Sequence, residues 1–128
     1  MKQITLDEFE ATIKAQGVPI KHVAFECPMC HTIQSAQDLI NAGAGKDLNE
    51  VEKYLAFSCI GRFNGAGSHK SGDQPGRGCD WTLGGLFKIH QLEVTTLDGK
   101  KHPRFAIASA VQAKANMEKY RAHPQNLD

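Results

Sequence analysis

The sequence predicts a small α+β domain, and three observations carry that expectation. Apolar stripes at helical spacing follow capping residues. Short strand-like runs end in turn residues. Four cysteines, Cys27, Cys30, Cys59 and Cys79, sit at the ends of such runs. A chain of 128 residues supports one domain. The expected organisation is a single unit over residues 1–128, with three or four short helices, short antiparallel strands and a flexible glycine-rich loop at residues 61–78.

Thr5-Leu6-Asp7-Glu8 is a capping-box pattern, in which Thr5 accepts from the backbone of Glu8 and Glu8 reaches back. Leu6, Phe9 and Ile13 then recur on one helical face, and Gly17-Val18-Pro19 ends the segment. Residues 20–25 read as a strand leading into Cys27, and 31–34 as the returning strand. Ser35, with Asp38 three residues on, caps a second helix. Asp47 or Asn49 starts a third, with Leu48, Val51, Tyr54 and Leu55 on one face. Residues 56–60 are strand-like and deliver Cys59.

Residues 61–78 hold 6 glycines in 18 positions, together with Pro75, and read as a long loop whose ends lie at Cys59 and Cys79. Residues 79–83 look like a strand, as do Leu86-Phe87-Lys88-Ile89 and Leu92-Glu93-Val94-Thr95, with a change of phase near His90. Asp98-Gly99 is a hairpin signal, and its partner strand is expected over residues 104–108. Ser109 caps a last helix carrying Val111, Met117 and Tyr120.

Cys27-Pro28-Met29-Cys30 offers two thiolates from one tight turn, half of a tetrahedral zinc site. Only Cys59 and Cys79 remain to complete it, and the 19 residues between them are read as a loop inserted into the second knuckle. The expected ligand set is therefore Cys27, Cys30, Cys59 and Cys79 around one structural Zn²⁺, giving a zinc-stabilised, zinc-ribbon-like knuckle. Four thiolates leave no open position for water, so such an ion is structural.

Other chemistries fit less well. Cys27 to His31 matches the Cys-x-x-Cys-His haem-attachment pattern, but that pattern needs export and leaves Cys59 and Cys79 unused. A thiol-redox pair at Cys27 and Cys30 stays open as an alternative, although Pro28 is in the wrong central position for the usual motif. His31 or His69 in place of one cysteine also stays open. A zinc deaminase requires His-x-Glu, which the sequence lacks. No serine-nucleophile motif stands out, and the expectation leans away from an enzyme.

The formal charge is +1 with neutral histidines, which argues against bulk electrostatic attraction to nucleic acid or membrane. Its distribution is uneven. Residues 1–60 carry 5 Lys/Arg and 8 Asp/Glu, a net of −3, and residues 61–128 carry 10 and 6, a net of +4. Arg62, Lys70 and Arg77 in the loop and Lys100 and Lys101 at the hairpin tip are the candidate partner-binding residues, because binding groups concentrate on connections. The first residues lack the apolar core of a signal peptide, and no apolar run approaches the length of a membrane span. The expected location is the cytoplasm, where thiols stay reduced and cysteines read as metal ligands first.

Three stretches carry a resemblance. Residues 25–30, Gly78-Cys79-Asp80-Trp81-Thr82-Leu83-Gly84-Gly85-Leu86-Phe87 and Asp98-Gly99-Lys100-Lys101-His102-Pro103 resemble small uncharacterised, zinc-ribbon-like proteins of tailed phages and prophages. The resemblance spans residues 22 to about 108. It implies a bacterial host cytoplasm and an accessory role: a binding module for a host protein, with weak, salt-sensitive nucleic-acid binding as the alternative.

Overall fold

Side-chain caps decide where four of the described helices begin. The computed structural model describes residues 2–68, 70, 76–83 and 90–121. The run 86–89, His69 and the centre of the glycine-rich loop lie outside them. Strand β1 (Lys2–Thr5) runs straight into helix α1 (Leu6–Lys14), with Thr5 and Glu8 forming the expected capping box. Ser35 and Asp38 form a second box at the start of α2 (Ala36–Asn41). The Asp47 side chain accepts from the Glu50 amide and starts the single-turn α3 (Leu48–Val51). Ser109 and Gln112 cap each other at α5 (Ala110–Arg121) in the same way. These devices satisfy amides that have no partner inside the helix.

The described strands form two three-stranded sheets. In one, β1 pairs in parallel with β4 (Leu92–Thr95), and β4 pairs antiparallel with β5 (Lys101–Arg104) across the Asp98-Gly99 turn. In the other, β2 (Ala24–Glu26) lies between β3 (Ile33–Ser35) and β6 (Ala106–Ile107), antiparallel to both. The architecture is thus α+β as expected, but with a parallel pair and with five α-helices among the described residues instead of three or four.

Four expected elements are drawn differently. The strand expected over residues 20–25 starts only at Ala24, because the residues after Pro19 close a 3-10 turn (Ile20–His22) that buries His22. Residues 56–60 and 79–83 are not ladder strands. Ala56 takes a left-handed φ of 60°, and the two segments meet through one bridge, Ser58 to Thr82. The single strand expected after Pro103 is divided between the sheets at Phe105, whose side chain is fully buried and whose amide donates to the Ala56 carbonyl at 2.7 Å.

The glycine-rich stretch is less loose than its composition implies. It opens as a one-turn helix, α4 (Gly61–Asn64). The Asn64 amide nitrogen donates to the Arg77 carbonyl at 2.9 Å, and the Asp80 backbone amide donates to the Gly67 carbonyl at 2.9 Å. Its two described ends are therefore tied to each other.

The main core joins Val23, Phe25, Leu39, Val51, Ile60 and Phe105 with all four cysteines. Buried Gln16 fastens α1 to β2: its amide group donates to the carbonyls of Ala24 and Ala108 and accepts from the Ala24 amide, all within 2.9 Å. The last helix is held by polar contacts. Only Ala113 of its described side chains is fully buried, and Val111, expected on its apolar face, is 79% exposed. Asp38, buried on α2, accepts from Asn116 at 2.8 Å and from the Tyr120 hydroxyl, and its carboxylate lies 2.6 Å from the Lys119 ammonium. Burial alone would raise the Asp38 carboxyl, but these donors together hold it below the usual carboxylate range.

His22 packs against Tyr120 with the rings tilted at 43° and their centroids 5.4 Å apart. Burial, assisted by the Lys21 charge, lowers its pKa, and its Nδ1 is buried without a partner. Protonation of His22 therefore opposes the fold. Its stabilising effect is complete above the unfolded value of about 6.5 and is lost as the pH falls below it. His22→Phe should flatten the decline in urea-unfolding stability between about pH 7 and pH 5. Asp38→Ala should cost about 2–3 kcal/mol at neutral pH by stripping buried donors of their acceptor. An unchanged pH slope or an unchanged urea midpoint, respectively, counts against each.

Candidate metal centre

The four cysteines converge from two different kinds of turn. Strand β2 runs into the first. The Cys27 amide donates to the Thr32 carbonyl and the His31 amide to the Cys27 carbonyl, at 3.1 and 2.9 Å, closing the loop that carries Cys27 and Cys30. His31 takes a left-handed φ of 61° to complete it. Its ring pairs with Glu26 at 2.8 Å, 62% of the side chain is exposed, and it stands outside the group of four sulfurs. His31 is therefore no ligand, and His69 lies outside the described residues.

The second half is discontinuous. The Cys59 amide donates to the Trp81 carbonyl, the Leu83 amide donates to the Phe57 carbonyl, and the Ser58 and Thr82 hydroxyls meet at 2.8 Å. Two short extended segments are thereby paired, and Cys59 and Cys79 face each other across the inserted stretch. Half-buried Trp81 packs against the core beside them, as a shield.

Two glycines permit this approach. A Cβ on Gly61 would stand 2.3 Å from the Cys79 nitrogen and 2.5 Å from its carbonyl oxygen. A Cβ on Gly78, whose φ is +89°, would stand 2.6 Å from the Gly61 nitrogen. Backbone thus lies directly on backbone between the two cysteine-bearing segments. Sequence reading treated both residues only as loop glycines.

The sulfur positions fit a tetrahedral ion. All four Sγ atoms lie within 4.8 Å of one another and all four residues are buried. Cys27 and Cys79 sulfurs are 3.8 Å apart, and those of Cys30 and Cys59 3.7 Å. A tetrahedron with metal–sulfur arms of about 2.3 Å has edges of about 3.8 Å. Disulfide sulfurs stand about 2.0 Å apart, and all four cysteines are free.

The electrostatics point the same way. Hydrogen bonds from the Cys27 and Cys59 sulfurs push the Cys30 thiol down, so one thiolate is favoured there. Contacts with the Cys30 and Cys59 sulfurs, with burial, push Cys27 up, and burial pushes Cys79 up to about 12. Without a cation, burial and neighbouring sulfurs therefore oppose ionisation of Cys27 and Cys79 while favouring a thiolate at Cys30. A divalent ion reverses that balance and makes all four sulfurs thiolates.

A polar layer surrounds the sulfurs. Gln34, 1% exposed on β3, accepts from the Ile60 amide at 3.0 Å and donates toward Cys59 Sγ at 3.3 Å. The Cys79 amide also donates to Cys59 Sγ at 3.3 Å. Thr32 Oγ1 lies 3.2 Å from Cys30 Sγ and accepts from the Gly76 amide at 3.3 Å. Gln34 escaped the sequence reading because its alternation on a short strand carries no metal-specific signal.

A family model described as VVA0879-like matches residues 5–108. The chain belongs to the VVA0879-like family. The stretch that defines its place in the VVA0879-like family holds all four cysteines, Gln34, Gly61 and Gly78, and stops before α5. Neither the curated proteins nor the solved structures provide a match. No helix among the described residues is long and apolar enough to cross a membrane.

Of the candidate partner-binding residues, Arg62, Lys70, Arg77, Lys100 and Lys101 are all exposed. Arg62 donates to the Asp80 carbonyl at 3.1 Å. Lys100 stands 3.9 Å from Asp98, and Lys101 4.0 Å from Glu93.

Gln34→Ala should weaken metal affinity about 10- to 100-fold, the usual effect of removing an outer-shell partner, as read by competition with a chromophoric chelator. Gly61→Ala should cost about 3 kcal/mol or more, since backbone and not a flexible side chain must move, and should lower metal occupancy. A variant as stable and as fully loaded as the parent would show that the close approach is not needed.

Proposed function

We propose that this chain is a non-catalytic binding module whose fold is held by one structural zinc ion on Cys27, Cys30, Cys59 and Cys79. The observation that carries the reading is the buried four-sulfur group, all within 4.8 Å, with two opposite edges of 3.7 and 3.8 Å that match a zinc–thiolate tetrahedron. Zinc is the ion that an all-thiolate tetrahedron favours. The β2–β3 hairpin with its knuckle, together with the paired segments around Cys59 and Cys79, is zinc-ribbon-like in plan. A complete thiolate shell leaves the metal no site for substrate. A thiol-redox role is less well supported, because Cys27 and Cys30 are buried among other sulfurs, whereas reactive thiols are partly exposed.

The partner we favour is a host protein, in keeping with a phage or prophage accessory role in a bacterial cytoplasm. The exposed cations Arg62, Lys70, Arg77, Lys100 and Lys101 supply contacts for an acidic surface. A formal charge of +1 lacks the strongly basic footprint of a dedicated nucleic-acid binder.

Elemental analysis of the purified protein should find one zinc per chain, and Cys79→Ser should lose both zinc and cooperative unfolding, since metal-binding energy is folding energy here. Absence of metal, or an iron haem spectrum, sinks the metal reading. Capture of a host protein that survives nuclease treatment and is lost in the Lys100→Glu, Lys101→Glu double variant supports the partner reading. Duplex or single-stranded nucleic acid bound tightly as salt rises would replace it.

A further inference from the structure

Away from the sulfur cluster, a cleft of about 590 Å³ opens between α1, the Ile20–His22 turn and α3. Its walls are mainly apolar, with Phe9, Ile13, Phe25, Leu48 and Leu55 among them. The volume falls in the range of small-molecule sites, roughly 300–1,000 Å³, which pair apolar walls with a few polar groups.

The one cation among its lining residues is Arg104, at the end of β5. Its guanidinium donates to the carbonyl of neighbouring Pro103 at 2.6 Å and lies over the Phe57 ring at 5.9 Å. No carboxylate among the described residues stands within ion-pair distance of it. Burial lowers its pKa from the usual arginine value, with no opposing charge to raise it. A cation drawn out of water without a counter-ion is costly, and a ligand anion relieves that cost. Asp47 and Glu52 also line the cleft, but both are exposed, and Asp47 is engaged in capping α3.

We propose that this cleft binds a small molecule with an apolar body and a single carboxylate, the body lying against Phe9, Ile13 and Phe25 and the carboxylate pairing with Arg104. The planar guanidinium matches a carboxylate in two parallel hydrogen bonds. Asp47 and Glu52 repel a second negative charge, so the ligand is a monoanion.

Calorimetric titration of the full, metal-loaded chain tests this with decanoate, decan-1-ol and decanedioate as probes. Decanoate should bind about tenfold more tightly than either of the others, the gain of roughly one charge-assisted contact. Arg104→Gln should remove that advantage and leave the weak binding of decan-1-ol unchanged. Ile20, 58% exposed on the cleft wall, provides a variant with little risk to the fold. Ile20→Glu should weaken decanoate more than decan-1-ol. No saturable decanoate binding at millimolar concentration, equal binding of acid and alcohol, or undiminished decanoate binding in Ile20→Glu overturns the proposal.

Discussion

Everything in this fold accommodates four sulfur atoms that share a space less than 5 Å across. That constraint is severe because the four residues come from segments up to 52 positions apart and are delivered by turns, not by long strands. The sulfurs also sit inside the principal hydrophobic cluster, touching the same residues that bury Phe25, Leu39 and Phe105. Core and metal site are therefore one object. Without a cation Cys27 and Cys79 resist ionisation, and apolar packing alone gives no reason for the four sulfurs to stand so close. The backbone contact between Gly61 and Gly78 belongs to the same constraint, since any side chain there separates the segments that carry Cys59 and Cys79.

Local signals in the sequence translated directly into structure. The boxes at Thr5/Glu8 and Ser35/Asp38, the caps at Asp47 and Ser109, and the Asp98-Gly99 turn each depend on residues within four positions of one another. The cysteine set was legible because a knuckle is a local pattern and only two further cysteines existed to complete it. What was not legible is non-local. Nothing near Lys2–Thr5 announces that it pairs in parallel with a strand 90 residues later. The division of residues 101–107 between two sheets depends on Phe105 finding a buried site and an acceptor at Ala56, which alternation alone cannot reveal. Gln16 and Gln34 look like ordinary polar positions until the fold surrounds them with backbone donors and acceptors.

The last helix stands apart in its chemistry. It lies beyond the stretch matched by the family and contributes little apolar burial, yet it is anchored through a buried carboxylate on α2. Such an anchor is directional and costs desolvation, so it fixes the helix in one register more than it adds net stability. The tilted His22–Tyr120 ring pair completes the contact from the 3-10 turn. One end of this domain is therefore held by apolar packing around the four clustered sulfurs, the other by a polar network that responds to acid.

The cleft and the metal site are mechanically linked because they share elements. Val23 and Phe25 line the cleft, and the strand that carries Phe25 leads directly to Cys27. Ala56 lines it three residues before Cys59, and Arg104 enters it one residue before Phe105, whose amide is tied to Ala56. Loss of the ion would release Cys27 and Cys59 together, and with them two walls of the cleft and the support beneath Arg104. A close-packed interior transmits such displacements instead of absorbing them. An ion held by the four sulfurs would thus set the geometry of a surface it does not touch, without taking part in any binding there.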